Sequence, residues 1–283
     1  DRTKMTKTVA QAMLAKVYAE KEVQDYDKVI AYADKVINTT GVELEDSYET
    51  LWGYDETAKD CMKRNTKEGI LEVHWTTGSG NWETWMYGRQ LDNWDYYFTW
   101  AKWITPSRDI INDFDKEGDE VRKNQAVVYY ACTWSNYYPA SNYPFMYKLR
   151  SSYNNIYWVR LADIILMKAE AEAYKGNLAE SAKLVNQIRK RAKLKELTSD
   201  KTGSKESMIE AVLHERRLEL AFEGERWFDL CRNNKVEKYL NGIDNRDSGR
   251  IRQVRQFDSN SYLLPIPQTA LDQNTNLEQN PGY

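Results

Sequence analysis

The sequence predicts a mainly α fold: tetratricopeptide-like helical hairpins with an aromatic-rich loop and short-strand insert between them. Three observations predict it. Apolar residues recur at helical spacing near both ends of the chain, the two helical regions share that spacing, and between them tryptophan, tyrosine and glycine displace the helical pattern. The boundaries read as a helical hairpin over 5–40, an aromatic loop and strand region over 70–158, and a second hairpin with the C-terminal segments over 159–283.

The first hairpin runs from Val9 to Ile37. "VAQAMLAKVYAE" is rich in helix formers, and the following helix places Tyr26, Val29, Ile30, Ala33, Val36 and Ile37 at helical spacing, with Gly41 as a stop. The second runs from about Leu161 to Ala192, with Leu161, Ile164, Ile165, Ala169 and Ala173 on one helix and Leu178, Ala182, Val185 and Ile188 on the next. Its turn is "YKGN", where Gly176 suits a helix C-terminus. Tyr26, Ile30, Ala33 and Val36 match Leu178, Ala182, Val185 and Ile188 in spacing, in the style of a tetratricopeptide pair. The intervening segment supplies no further copies, so a regular tandem solenoid is not expected.

That segment holds strand-like runs, "ILEVHW", "AVVYYACTW" and "IYWVRL", separated by loops containing Gly, Asn and Pro. Six of the ten tryptophans fall between Trp75 and Trp103, and a second aromatic group lies in "TWSNYYPASNYP".

Composition sets limits on function. With 283 residues, 41% hydrophobic and 29% charged, the chain is too apolar for disorder. A net charge of -3 with interspersed signs gives no reason to expect nucleic acid or an anionic membrane surface as a partner. Cys61, Cys132 and Cys231 form no CxxC pair and have only His74 and His214 to help, so neither a metal site nor a disulfide framework is expected, and no cofactor motif appears. His74 reads as a strand residue and His214 as a helix-surface or interface residue, neither as a catalytic base.

The stretch "LHERRLELAFEGERWFDLCR" raises the sharpest question, because Glu215, Arg216, Arg217, Glu219, Glu223, Glu225 and Arg226 sit in an otherwise core-like helix. On a helix ending at Gly224, Arg216 and Glu223 share a stripe with Ile209, Val212, Leu213 and Leu220, and Arg226 falls close enough to reach back to Glu219 or Glu223. A glycosidase pair would need two acids facing one cleft, which nothing in this spacing supplies. Arg216, Glu219, Glu223 and Arg226 are therefore read as structural ion pairs, and no catalytic residue is assigned.

"GNWETWMYGRQLDNWDYY" carries the binding chemistry. A pyranose ring has a face of C–H groups that packs on an aromatic ring, while its rim hydroxyls need directional polar partners. Trp82, Trp85, Tyr87, Trp94 and Tyr96 supply rings, and Arg89 and Asn93 supply polar groups. Trp75, Trp100, Trp103, Trp158 and Trp227 are expected in the core, because tryptophan is mostly buried.

"RLADIILMKAEAEA", then "HERRLELAFEGERWFDLCR", then the ending "YLLPIPQTALDQNTNLEQNPGY" resemble the C-terminal part of the SusD/RagB family of nutrient-binding outer-membrane lipoproteins, in the family's order. "WITPSRDIINDFDKEGDEVR" and "KTVAQAMLAKVYAEKEVQDYDKVIAYADKVI" resemble further family segments, though the family more often has Asp-x-Arg where this chain has Gly-Asp-x-x-Arg. The resemblance implies a SusD-like fold and non-catalytic capture of a glycan at the outer-membrane surface, for import by a SusC-like TonB-dependent transporter. Peptide capture, or service as a docking scaffold for the transporter, are the alternatives. It also implies a lipid anchor and a helical N-terminal half, neither of which precedes Asp1, so membrane contact is expected only through that anchor.

Overall fold

Thr6 opens the first helix by accepting a hydrogen bond from the Val9 amide at 3.2 Å, and Asp25 opens the second by accepting from the Lys28 amide at 3.1 Å. The computed structural model describes residues 1–75, 82–88, 104–132, 137–249, 253 and 255–283, without the side chains of Trp82 and Trp85. These residues form two compact units, Asp1–Arg226 and Trp227–Tyr283.

In the first unit the helices are α1 (Lys7–Ala19), α2 (Tyr26–Ile37), α3 (Glu49–Trp52), α4 (Trp82–Tyr87), α5 (Arg108–Glu117), α6 (Glu120–Ala126), α7 (Leu161–Tyr174), α8 (Leu178–Arg191), α9 (Ser199–Thr202) and α10 (Lys205–Glu219). The hairpins α1–α2 and α7–α8 are distant in sequence yet meet in space, because α2 packs directly on α7. Tyr26 stacks on Tyr174 with ring centroids 4.7 Å apart, and Lys168 reaches Asp34 at 2.7 Å. The insert loops out between two helices that are spatial neighbours, which is why sequence separation hid the pairing.

α7 is buried on nearly every side, its Asp163, Glu170 and Glu172 included, since α2, α8 and α10 all pack against it, which puts it at the centre of the bundle. Its Ala162, Ala169 and Ala173 are fully buried and let neighbouring backbones approach. The Ser181 hydroxyl of α8 donates to the Ala169 carbonyl at 2.7 Å. Gly176 ends the hairpin turn with φ of +85°, a left-handed conformation that a side chain would strain.

Among the described residues, three short antiparallel ladders lie between α2 and α7, the first pairing β1 (Tyr54–Asp55) with β2 (Asp60–Cys61). β3 (Gly69–Val73) pairs with β6 (Ile156–Arg160), Gly69 opposite Arg160 and Val73 opposite Ile156; β4 (Val127–Tyr130) pairs with β5 (Tyr143–Met146). β5 is not among the strand-like runs read from the sequence. Pro144 is tolerated because a two-stranded ladder consists of edges. Trp158 corrects another expectation. It is 60% exposed, because Tyr157 and Val159 take the inward positions of β6 and strand alternation turns Trp158 outward. Trp75, beyond the end of β3, and Trp227 are half-buried rather than core, while Trp100 and Trp103 lie outside the described residues.

The second unit contains most of a helix over Arg226–Arg232, short helices over Val236–Leu240, Ile243–Arg246 and Gln268–Gln273, and a tail knitted onto the chain before it. Buried Asp229 and Arg232 pair at 2.7 Å, and Asn241 exchanges two hydrogen bonds of 2.8 Å with the Phe257 backbone. Gln279 does the same for Ile266, at 2.8 and 2.9 Å, and the Tyr283 hydroxyl donates to the Leu263 carbonyl at 3.1 Å.

The packing of α8 yields a test. Ile188, fully buried between α7 and α10, should cost about 2–5 kcal/mol when cut to Ala, whereas Lys183→Ala on the exposed face of the same helix should stay within about 0.5 kcal/mol, both read from denaturant melts.

Candidate functional site

Two groups of residues qualify as a site: the charges around the end of α10, and the aromatic segment around α4. Glu215, Arg216 and Glu219 have no solvent exposure, so their charges require partners. Glu219 accepts from Arg160 Nη1 at 2.6 Å, from Arg122 Nη1 at 3.2 Å and from Arg191. Glu223 accepts from Arg160 Nε at 2.7 Å and from Lys148 Nζ at 2.6 Å. Glu68, from the turn before β3, accepts from Arg160 Nη1 at 2.8 Å and from Arg191. Glu215 takes Arg122 at 2.6 Å and Arg189 at 3.0 Å, and Asp119, the N-cap of α6, also holds Arg122.

The same contacts explain where α10 stops. The Glu219 carbonyl accepts from the Tyr48 hydroxyl at 2.8 Å, Arg160 Nη2 at 2.8 Å and Lys148 Nζ at 3.0 Å. Two cations and a phenol thus occupy the helix C-terminus, where the dipole favours positive charge. The helix ends at Glu219, one turn before the Gly224 stop read from the sequence, and Glu223 lies beyond it.

Arg216 belongs to a neighbouring cluster. Its Nη2 donates to Asp163 Oδ1 at 2.7 Å, and Lys16 bridges Asp163 at 2.9 Å and Glu225 at 2.7 Å. Arg226 Nη1 donates to the Leu213 carbonyl at 3.0 Å. Of the four residues singled out in this stretch, Glu219 and Glu223 are brought together by Arg160, while Arg216 is anchored on α7 and Arg226 on the α10 backbone. Arg160, Arg191, Arg122 and Lys148 could not be read as partners from the sequence, because local spacing shows only neighbours three or four residues away.

The electrostatics follow from these contacts. Burial pushes the Glu219 carboxyl up, but Arg191, Arg160 and Arg122 outweigh it and hold it well below the usual carboxylate range. Burial likewise opposes Lys16 and Arg216 at Asp163, and the two cations win. The His214 hydrogen bond of 3.1 Å, with Arg189, holds Glu117 down at about 2 against its partial burial. Lys148 moves the other way: burial pulls it down to about 8 although Glu223 opposes. Carboxylates held ionised this firmly are acceptors, and Glu219 and Asp163 are poor proton donors at neutral pH.

The aromatic segment is built differently. Trp82, Trp85 and Tyr87, expected in a loop, lie on the six-residue helix α4, with Tyr87 half-buried. Arg89, Asn93, Trp94 and Tyr96 lie outside the described residues. The Thr84 hydroxyl donates to Asn154 Oδ1 at 3.0 Å, and Gly88, just past α4, bridges to Met146 of β5. A Cβ on Gly88 would come 2.0 Å from the Leu149 carbonyl, so this glycine is needed for close approach. In the second aromatic group, Tyr137 and Tyr138 stack on Arg108, with ring centroids 4.5 and 4.1 Å from its guanidinium. Sequence reasoning missed exposed Trp158 and the part-exposed Tyr129 and Tyr130; only strand alternation could have flagged Trp158.

His74 follows β3 and bonds buried Glu72 at 2.6 Å. Among the described residues, no group of three or more His, Cys, Asp and Glu is placed to hold a metal ion, no disulfide joins the three cysteines, and no helix is long and apolar enough to cross a membrane.

The profile of the SusD family matches residues 67–283. The SusD-like protein P2 of Formosa agariphila is 27% identical over 98% of this chain, which spans 60% of that relative's length. Two solved structures share the fold. Surface glycan-binding protein A from Bacteroides thetaiotaomicron superposes with a TM-score of 0.74 at 17% identity, over 99% of this chain and 64% of its own. A laminarin binding SusD-like protein superposes with a TM-score of 0.72 at 23% identity, over 100% of this chain and 64% of its own.

Acid should reveal the network. Glu219, Asp163 and Glu117 have folded pKa values below their unfolded ones, so each contributes stability that is present above about pH 4.5 and lost as pH falls toward their folded values. Asp119 and Glu225, pushed up by burial, act in the opposite sense and soften the slope. The thermal midpoint should hold between pH 7 and 5, then fall steeply between about pH 4.5 and 2, and Glu219→Gln should start lower and flatten that fall.

Proposed function

The chain belongs to the SusD family, and on that premise we propose that it captures a glycan at the cell surface without cleaving it. The ligand would then pass to a SusC-like TonB-dependent transporter in the outer membrane, with a lipid anchor as the only membrane contact. The observation that carries this reading is the aromatic and amide-rich segment from Asn81 to Tyr96, whose helical part is tied to the Asn154 side chain at Thr84 and to the Met146 backbone at Gly88. Rings held on a fixed backbone suit stacking on sugar faces, because little side-chain freedom is then lost on binding. Trp82, Trp85, Tyr87, Trp94 and Tyr96 would be the platforms, and Arg89 and Asn93 the hydroxyl partners.

Two further observations support it. The solved relatives named for glycan and laminarin binding share the fold over essentially the whole chain. The charges of α10 offer no catalytic alternative, because Glu215 and Glu219 are buried and bonded to arginines. Transfer to the transporter, the surface location and the absence of catalysis rest on the family.

The test is affinity electrophoresis against plant, host and microbial polysaccharides, laminarin included, with peptides as the control set. The retained ligand should then lose about 2 kcal/mol or more of binding to Trp82→Ala or Trp85→Ala in calorimetric titration while melting holds. If both variants melt early and bind normally once folded, those rings are core. Hydrolysis products, or retention of peptides alone, would overturn the reading.

A further inference from the structure

α4 is short, and a helix of six residues has little stability of its own. What holds it is the segment between β5 and β6. Asn154 is 95% buried, because only 5% of its surface is exposed, and its Oδ1 accepts from Thr84 Oγ1 at 3.0 Å, from the Ser151 amide at 3.2 Å and from the Arg150 amide at 3.3 Å. Its Nδ2 donates to the Asn155 carbonyl at 2.9 Å. Turning the amide over would aim its NH₂ at two backbone N–H donors, so the oxygen is committed to Thr84.

The segment is itself anchored. Lys148 reaches Glu223 and the Glu219 carbonyl, and Arg150 donates to the Tyr147 carbonyl at 2.6 Å and the Gln125 carbonyl at 3.0 Å. Leu149, between them, presents the carbonyl that only a glycine at 88 can approach. The buried charge network therefore continues, through residues 147–154, to the backbone that carries Trp82, Trp85 and Tyr87.

We infer that Asn154 is the positioning residue of the proposed ligand site: through Thr84 it fixes the backbone of α4, the helix whose sequence carries Trp82, Trp85 and Tyr87. The inference rests on the glycan-capture reading, and its first readout does not depend on any ligand. A hydroxyl that merely satisfies a buried acceptor would leave α4 in place when removed, whereas a strut would not.

The experiment compares wild type, Thr84→Val, which keeps shape and loses the hydroxyl, and Thr84→Ser, which restores it. Amide hydrogen exchange over residues 82–88 should be roughly tenfold faster in the Val variant, from the loss of one buried hydrogen bond, and return toward wild type in the Ser variant. Exchange over α7 and α10 should be unchanged in both, which separates a local release from a folding defect. In gels containing laminarin, retardation should fall several-fold for Val and recover for Ser. Wild-type exchange in the Val variant, or failure of Ser to rescue, overturns the positioning role, as does full retardation of a Val variant whose α4 exchanges fast. Wild type that passes every glycan gel unretarded overturns the capture reading instead, and the exchange comparison still decides whether Asn154 holds α4.

Discussion

Arg160 is the constraint on which most of this structure depends. It sits at the junction of β6 and α7, opposite Gly69 in the ladder, and is about 1% exposed. From there its guanidinium meets Glu68, Glu219 and Glu223, tying the turn before β3 to the end of α10. A lone arginine buried here would be untenable, and so would any of the three glutamates. Together they are acceptable because each charge is met at hydrogen-bond distance by an opposite one. Arg122, Arg191 and Lys148 extend the arrangement to α6, α8 and the segment after β5. Such a network contributes less net stability than its contact list suggests, since desolvation offsets much of the attraction, but it strongly penalises any arrangement that separates the partners.

That penalty lets an irregular insert sit firmly on a helical scaffold. The hairpins associate through small and apolar residues, a non-directional interaction that would tolerate sliding. The loops and short ladders between α2 and α7 have only small apolar clusters of their own, Tyr48, Leu51, Trp52 and Tyr157 in one and Cys132, Tyr143 and Phe145 in another. Directional charge pairs add a defined placement, and the fixed backbone extends to Thr84 and Gly88. For a surface that meets an extended ligand, a pre-set backbone reduces the ordering cost of binding. The family relationship and the glycan-capture reading are compatible with this division between a packed helical scaffold and a polar-anchored insert.

The helices were legible because their signal is local. Val29, Ala33 and Val36, or Leu184, Val185 and Ile188, announce a face within one window of sequence, and Gly176 announces its end. The contact of α2 with α7 was not, since nothing local reports that two helices separated by the whole insert are neighbours. The charged stretch shows the same limit. Glu219 and Arg216 read as paired ions, yet Arg160, Arg191, Arg122 and Asp163 come from elements dozens of residues away. Trp158 was misplaced because its strand is too short for alternation to outweigh the general tendency of tryptophan to be buried. In the proposed ligand segment the rings and amides are readable, whereas the contact of Asn154 with Thr84 is not, because a buried amide in a loop looks like any other asparagine until its partners are placed.

On this account the buried charges hold the fold and do not act on a ligand. Arg160→Met tests it most directly, since it removes the shared cation with little change in length and leaves Glu68, Glu219 and Glu223 short of a partner. Calorimetric unfolding should show a loss of about 3–5 kcal/mol, with the protein that remains folded at low temperature still retained by its polysaccharide. A variant that melts like wild type and is no longer retained would contradict the account and make this cluster the site.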